Sequence, residues 1–165
     1  MIRTAILTVS DKGAAGERDD TSVEQVRELL RDGFAVRAYE LVPDEPERIR
    51  AQLGAWADSG EVDLIVTTGG TGLSPRDRTP EATRAVLDFE VPGLAEVMRA
   101  EGVKKNPKAA LSRGLVGARG ATLIVNLPGS PKGARESLTA ILGVVPHAID
   151  TLRAEKRAAP EDWHQ

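Results

Sequence analysis

Apolar positions in this chain follow two alternating spacings. Ile2 to Val9, rich in apolar and β-branched residues, predicts a buried first strand, and Phe34 to Val42 and Asp63 to Thr68 read as the second and third strands. Between them, apolar residues recur at steps of three and four, the mark of amphipathic helices. Val23, Val26, Leu29 and Leu30 form one such stripe, on a helix that begins near Ser22 and ends at Gly33. Ser22 and Gln25 are spaced for a capping box. Pro43-Asp44-Glu45-Pro46 opens a second helix, with Ile49, Leu53 and Trp56 on one face.

Pro80 and Pro92 each stand where a helix's first turn begins. The first of these helices runs to Phe89, and the second turns Leu94, Val97 and Met98 inward. Leu115–Val116 and Thr122 to Leu127 predict a hairpin joined across Gly117-Ala118-Arg119-Gly120. Ser130-Pro131 caps a further helix with Ala134, Leu138, Ile141 and Leu142 inward. From Arg153 onward charge and alanine dominate, which predicts a frayed tail.

Strands alternating with helices call for an α/β fold, a three-layer α/β/α sandwich with a mostly parallel sheet and an antiparallel edge hairpin. No repeat or linker divides the chain, so residues 1–152 read as one domain and 153–165 as a C-terminal tail. A length of 165 residues suits one core, and the 3% aromatic content makes that core aliphatic. A net charge of −3 argues against nucleic acid as a partner. Cysteine is absent, which removes disulfides, thiolate catalysis and zinc–sulfur sites. No apolar run nears the roughly 20 residues that cross a bilayer, and Met1-Ile2-Arg3-Thr4 leads straight into the first strand. The expectation is a soluble cytoplasmic protein with no membrane partner.

In an open parallel sheet, ligands bind beyond the carboxyl ends of the strands. Four loops should meet there. The first carries Ser10 and Asp11, and the second Asp44. The third carries Gly69-Gly70-Thr71-Gly72 with Asp77, and the fourth is Asn126-Leu127-Pro128-Gly129-Ser130 before a helix. Glycine loops and helix N-termini present free N–H groups to phosphate oxygens. Asp44 and Asp77 suit Mg²⁺, which takes one or two carboxylates beside substrate phosphates. The glycine run lacks a Walker lysine and does not match G-x-G-x-x-G. With only His147 and His164, Ser-His-Asp machinery is not expected, whereas an attacking phosphate is already anionic and needs no base. Plainer roles stand beside these. Asp44 with Glu47 fits a helix cap, Asp77 fits a turn residue, and Lys104, Lys105 and Lys108 fit a solvated face.

Six segments taken together carry a resemblance. They are Leu7-Thr8-Val9-Ser10-Asp11, Val42-Pro43-Asp44-Glu45, the glycine run continued by Pro75-Arg76-Asp77-Arg78-Thr79-Pro80-Glu81-Ala82-Thr83, Val91-Pro92-Gly93, Leu111-Ser112-Arg113, and Ile124-Val125-Asn126-Leu127-Pro128-Gly129-Ser130-Pro131. In this order, from Leu7 to about Leu152, the chain resembles the Mog/MoaB family of molybdenum-cofactor biosynthesis proteins, the molybdopterin adenylyltransferases. The resemblance implies a molybdopterin-binding domain and transfer of AMP from ATP to the terminal phosphate of molybdopterin. It further implies a Mg²⁺ requirement and a homotrimer. It places the functional carboxylates, catalytic and metal-holding, on Asp44 and Asp77. Substrate contacts fall on Ser10, Asp11, Gly69, Gly70, Thr71, Gly72, Ser74, Arg76, Thr79, Asn126, Pro128, Gly129, Ser130 and Lys132, with Ser112 on the pterin side. Where the family often has Ser-Gly-Pro after the first loop, this chain has Ser22-Val23-Glu24. A non-catalytic molybdopterin-binding paralogue is the alternative.

Overall fold

The computed structural model describes residues 1–158. Six strands form one sheet: β1 (Ile2–Val9), β2 (Phe34–Val42), β3 (Leu64–Thr68), β4 (Phe89–Glu90), β5 (Val116–Arg119) and β6 (Thr122–Leu127). Their spatial order is β2-β1-β3-β6-β5-β4. The first four in that order are mutually parallel, while β5 runs antiparallel to β6 and β4 antiparallel to β5. The predicted mostly parallel sheet with an antiparallel edge is therefore correct.

Side chains alternate across the central strands and fill two separate cores. On one face Ile6, Leu64, Val66, Leu123 and Val125 meet α2 (Ser22–Leu29), α5 (Pro92–Val103), α6 (Pro131–Leu142) and α7 (Val145–Ala158). On the other, Ala5, Leu7, Ile65 and Ile124 meet α3 (Pro46–Asp58) and α4 (Thr79–Val86). Three layers result, with aliphatic side chains dominating both interfaces. A single turn of helix, α1 (Asp11–Ala14), and a 3₁₀ segment, Pro107–Leu111, complete the elements.

Several local expectations are corrected. No capping box forms at α2: Thr21 holds the N-cap position without a side-chain bond, and Asp20 Oδ1 accepts instead from Val23 N at 3.3 Å. Ser22 lies within the helix, its hydroxyl donating to Asp20 at 2.8 Å. The helix begun at Pro80 stops at Val86, and Phe89 pairs with Ala118 as an edge strand. The hairpin loop shrinks to Gly120 and Ala121, because Val116–Arg119 is strand throughout. Gly117 belongs in that strand for steric reasons: a Cβ there would lie 2.4 Å from a Leu87 methyl carbon and 2.6 Å from the Phe89 carbonyl oxygen. Val97 faces away from the core. Where the sequence suggests fraying from Arg153, α7 continues to Ala158; the rest of the tail, 159–165, lies outside the described residues.

Arg153 has a partner at the amino end of the sheet. Asp63, buried between β1 and β6, accepts from Arg3 N at 2.9 Å, from Arg3 Nε at 2.9 Å and Nη2 at 2.8 Å, and from Arg153 at 2.6 Å. Burial opposes its charge, but the two guanidiniums outweigh it and hold the carboxyl far below the ordinary range. An open cleft of about 430 Å³ surrounds this cluster.

Candidate active site

The chain leaves β1 toward β2 on one side and returns to β3 on the other, so the crevice beyond β1 and β3 is the topological switch point. Two clefts open there, of about 510 and 460 Å³. Gly70, Asp77, Gly129 and Ser130 line both and form the ridge between them.

The first cleft is built by the loops after β1, β2 and β3. Ser10 ends β1 as the cap of α1, accepting from Gly13 N at 3.0 Å. Asp11 N donates to Asp44 Oδ2 at 2.9 Å, and Asp44 N donates back to Asp11 Oδ1 at 3.0 Å, so two loops share one reciprocal pair of bonds. Arg76 grips Asp11 through Nε at 2.9 Å and Nη2 at 2.7 Å. This fork–fork contact lowers the Asp11 pKa and engages the Arg76 guanidinium with protein. Asp44 is not the helix cap: Glu45 takes that position in α3. Burial, with the nearby charges of Asp11 and Asp77, pushes the Asp44 carboxyl above its ordinary range. Asp20, at the back of the cleft, behaves oppositely. Burial disfavours its charge, but bonds from Thr8, Tyr39, Ser22 and Val23 N outweigh that and lower it.

The third loop folds over this pair on two left-handed glycines. Gly69 has φ of +93° and Gly70 of +68°, conformations that non-glycine residues adopt at a cost of about 1–2 kcal/mol. Space is equally restrictive. A Cβ on Gly69 would sit 2.3 Å from the Val9 carbonyl oxygen, and one on Gly70 would sit 2.2 Å from Thr79 Oγ1 and 3.2 Å from Asp44 Oδ1. The amides of Gly70, Gly72, Gly129 and Ser130 donate to no protein acceptor among the described residues. Asp77 reaches both clefts, and its Oδ2 accepts from Ser74 N at 3.0 Å, so its turn role and its exposure to ligand coexist. Thr79 is buried, with Oγ1 unpartnered behind Gly70. Thr71 is buried as well, and Ser74 is exposed at the loop tip.

The second cleft runs from the same ridge to Ser112, Lys108 and Lys132. Ser130 caps α6 by accepting from Gly133 N at 3.1 Å, and Pro128 and Gly129 lead into it. Gly129 packs so tightly on Gly69 that a Cβ would lie 3.2 Å from its Cα. Of the expected contacts, Asp11, Ser74, Arg76 and Thr79 line neither cleft, and nor does Asn126. It is fully buried, donating to Thr67 and Thr83 hydroxyls at 3.0 Å each and accepting from Leu115 N at 3.1 Å. Its amide is used up in bracing the strands beneath the loops. Among the described residues no three His, Cys, Asp or Glu side chains form a group that could hold a metal ion, and Asp44 and Asp77 are the two expected carboxylates that line one cleft. Arg113 and its partner Glu81 are important residues that sequence reasoning did not assign to the site; they hold the glycine loop from behind. The Leu-Ser-Arg segment was the available signal.

Two clefts that share one carboxylate and a row of open amides suit two anionic molecules brought together end to end. Similarity to known proteins identifies the family. A family model described as "Probable molybdopterin binding domain" matches residues 5–147. The chain is 40% identical over 154 residues to the molybdopterin adenylyltransferase of Helicobacter pylori strain J99, covering 92% of this chain and 88% of that one. It is 44% identical over 150 residues to the molybdenum cofactor synthesis protein cinnamon of Drosophila melanogaster, of which it spans only 25%. The solved structure of the molybdopterin biosynthesis enzyme MoaB from Thermus thermophilus superposes with a TM-score of 0.89 at 64% identity, over 93% of this chain and 98% of that one. Sequence and architecture thus converge, and the chain belongs to the molybdopterin-binding domain family of molybdenum cofactor biosynthesis.

Proposed function

We propose that the protein is a molybdopterin adenylyltransferase, joining AMP from ATP to the terminal phosphate of molybdopterin. The observation that carries this reading is the convergence of Asp44 and Asp77 on one cleft, in a chain that matches a named adenylyltransferase over nearly its whole length. An oxygen of the molybdopterin phosphate attacks the α-phosphorus of ATP, the bond to the β-phosphate oxygen breaks, and pyrophosphate leaves. The attacking oxygen is already ionised and needs no base to activate it.

The protein's part is placement and charge. Open amides at Gly70, Gly72, Gly129 and Ser130 receive phosphate oxygens at the ridge where the clefts join. Lys108 and Lys132 bring two cations to the second cleft, the latter 3.9 Å from Glu136 in the same lining, and both are available to an anionic pterin. Ser10, Asp11, Thr71, Ser74, Arg76, Thr79 and Asn126 shape and brace these walls, and Ser112 and Pro128 line the pterin side. Asp44 and Asp77 would hold a Mg²⁺ arriving with the triphosphate, which would supply charge neutralisation between phosphate oxygens. The donor set fits that role: the charge of Asp77 helps push Asp44 upward, and a cation between them relieves the repulsion. The functional domain is residues 1–152. A homotrimer and a cytoplasmic location complete the reading; among the described residues no helix is long and apolar enough to cross a membrane.

Incubating the protein with molybdopterin, ATP and Mg²⁺ tests it, with the product followed by mass and pyrophosphate by a coupled assay. Adenylylated molybdopterin with equimolar pyrophosphate is the expected result. Tight molybdopterin binding without an ATP-dependent product would overturn it in favour of a non-catalytic paralogue. Light scattering checks the trimer.

A further inference from the structure

We infer that Arg113 is the positioning residue of this site, setting Asp77 and the glycine loop without touching either substrate. The inference rests on the adenylyltransferase reading for its kinetic consequence, though not for its structural one.

Arg113 grips the loop between β3 and α4 at three points and the first turn of α4 at a fourth. Its backbone N–H donates to the Thr71 carbonyl at 2.8 Å. Its Nε donates to the Gly72 carbonyl at 2.8 Å and its Nη2 to the Asp77 carbonyl at 2.7 Å. Nη1 donates to the Glu81 carboxylate, in the first turn of α4. One planar guanidinium thereby fixes the spacing of residues 72, 77 and 81. The loop's own bonds are few: Asp77 N to Ser74 O at 2.9 Å, Ser74 N to the Asp77 carboxylate at 3.0 Å, and Thr79 N to Gly70 O at 3.1 Å. With Gly69 and Gly70 left-handed and Gly72 beside them, the loop needs an external clamp to hold one conformation. Asp77 is consequently held from both ends, its carboxylate by Ser74 N and its carbonyl by Arg113.

Glu81 orients the clamp. Burial disfavours its charge, yet Arg113 and neighbouring groups keep the carboxyl below its ordinary range. Its other oxygen, Oε2, is buried without a partner, while Oε1 takes the Arg113 bond and lies 3.8 Å from Arg78. Neither Arg113 nor Glu81 lines either cleft. Arg113 also follows Ser112 directly, so the clamp ties the glycine ridge to the far wall of the second cleft. Lysine cannot substitute, because three acceptors in separate directions require the guanidinium fork.

The test compares Arg113→Ala, Arg113→Lys and Glu81→Gln with wild type, using two readouts below the melting temperature of each. Hydrogen exchange measured by mass spectrometry should show amides of residues 70–79 exchanging at least about tenfold faster in Arg113→Ala, while β3 and β6 stay protected. Turnover at saturating substrate should fall about 100-fold, the scale of an ångström misplacement of a reacting group, with the KM for ATP within about threefold. Arg113→Lys should recover less than tenfold of that loss. Glu81→Gln, which keeps an acceptor for Nη1, should sit between Arg113→Ala and wild type in both readouts. Loop exchange unchanged in Arg113→Ala, or full recovery of turnover by Arg113→Lys, overturns the clamp. Failure of wild type to make product overturns the adenylyltransferase reading alone, because the exchange readout still judges the clamp.

Discussion

The two ends of the sheet carry clefts of similar size, about 510 and 430 Å³, and each contains a carboxylate with charged neighbours. Their chemistry is opposite. At the amino end Asp63 is saturated by two guanidiniums and a backbone amide, and its negative charge is fully answered by protein. At the carboxyl end Asp44 takes one amide bond and has two other carboxylates nearby; Arg76, the neighbouring cation, is bonded to Asp11, and burial with the like charges outweighs it. A volume alone does not make a site. An ion whose partners are already present is structure, and an ion opposed by its neighbours is prepared for a ligand.

The largest expected effect lies at the carboxyl end. Asp77→Asn and Asp44→Asn should each lower turnover about 10²–10³-fold, roughly 3–4 kcal/mol in the barrier. Thermal stability should hold level or rise for Asp44→Asn, because the ionised form of Asp44 is worse off folded than unfolded. Either variant retaining wild-type turnover breaks the contrast. Gly70→Ala sharpens it from the backbone side. The added methyl meets Thr79 Oγ1 at 2.2 Å in a left-handed conformation, so denaturation should show a loss of about 2–4 kcal/mol together with most of the activity.

Asp63→Asn should cost about 1–3 kcal/mol in stability and leave turnover per folded molecule unchanged. Its pH dependence has a definite sign. The folded pKa of Asp63 lies below the unfolded value, so its contribution is complete above the ordinary carboxylate range and is lost progressively as pH falls from that range down through its much lower folded value. Stability curves of wild type and variant should therefore converge toward acid pH. If turnover collapses in Asp63→Asn at a pH where it is folded, the amino-end cleft is functional after all. The smallest effect belongs to Lys104→Ala, which removes an exposed pair with Glu101 and should change neither stability nor turnover measurably.

Sequence made the architecture legible because the central strands are buried on both faces and read as unbroken apolar runs. The carboxyl-end loops were legible for a related reason: parallel topology alone dictates that Ser10, Asp44, Gly69 and Gly129 meet. What escaped was determined by tertiary contact. Gly117 reads as turn because the contacts that demand glycine come from Leu87 and Phe89, about thirty residues upstream. Phe89–Glu90 is too short to announce itself as a strand. Asn126 sits inside a ligand loop motif, and only burial against Thr67 and Thr83 reveals it as a brace. Arg113 was visible as part of a motif, but its bonds to residues 72, 77 and 81 span 32 to 41 positions, and no local spacing encodes them.

The position of β6 has a consequence for how the protein comes into being. It is the last strand in sequence, yet it occupies the middle of the sheet, its residues 123–127 seated against 64–68 of β3. Until it is synthesised, β3 has an open edge, and the helical face of the core lacks Leu123, Val125 and the whole of α6. The fourth loop, which closes the ridge at Gly129, emerges directly after it. A partly made chain therefore carries the first three loops of one cleft without the ridge that joins it to the other, and the two-cleft site is complete only once β6 and the fourth loop are in place.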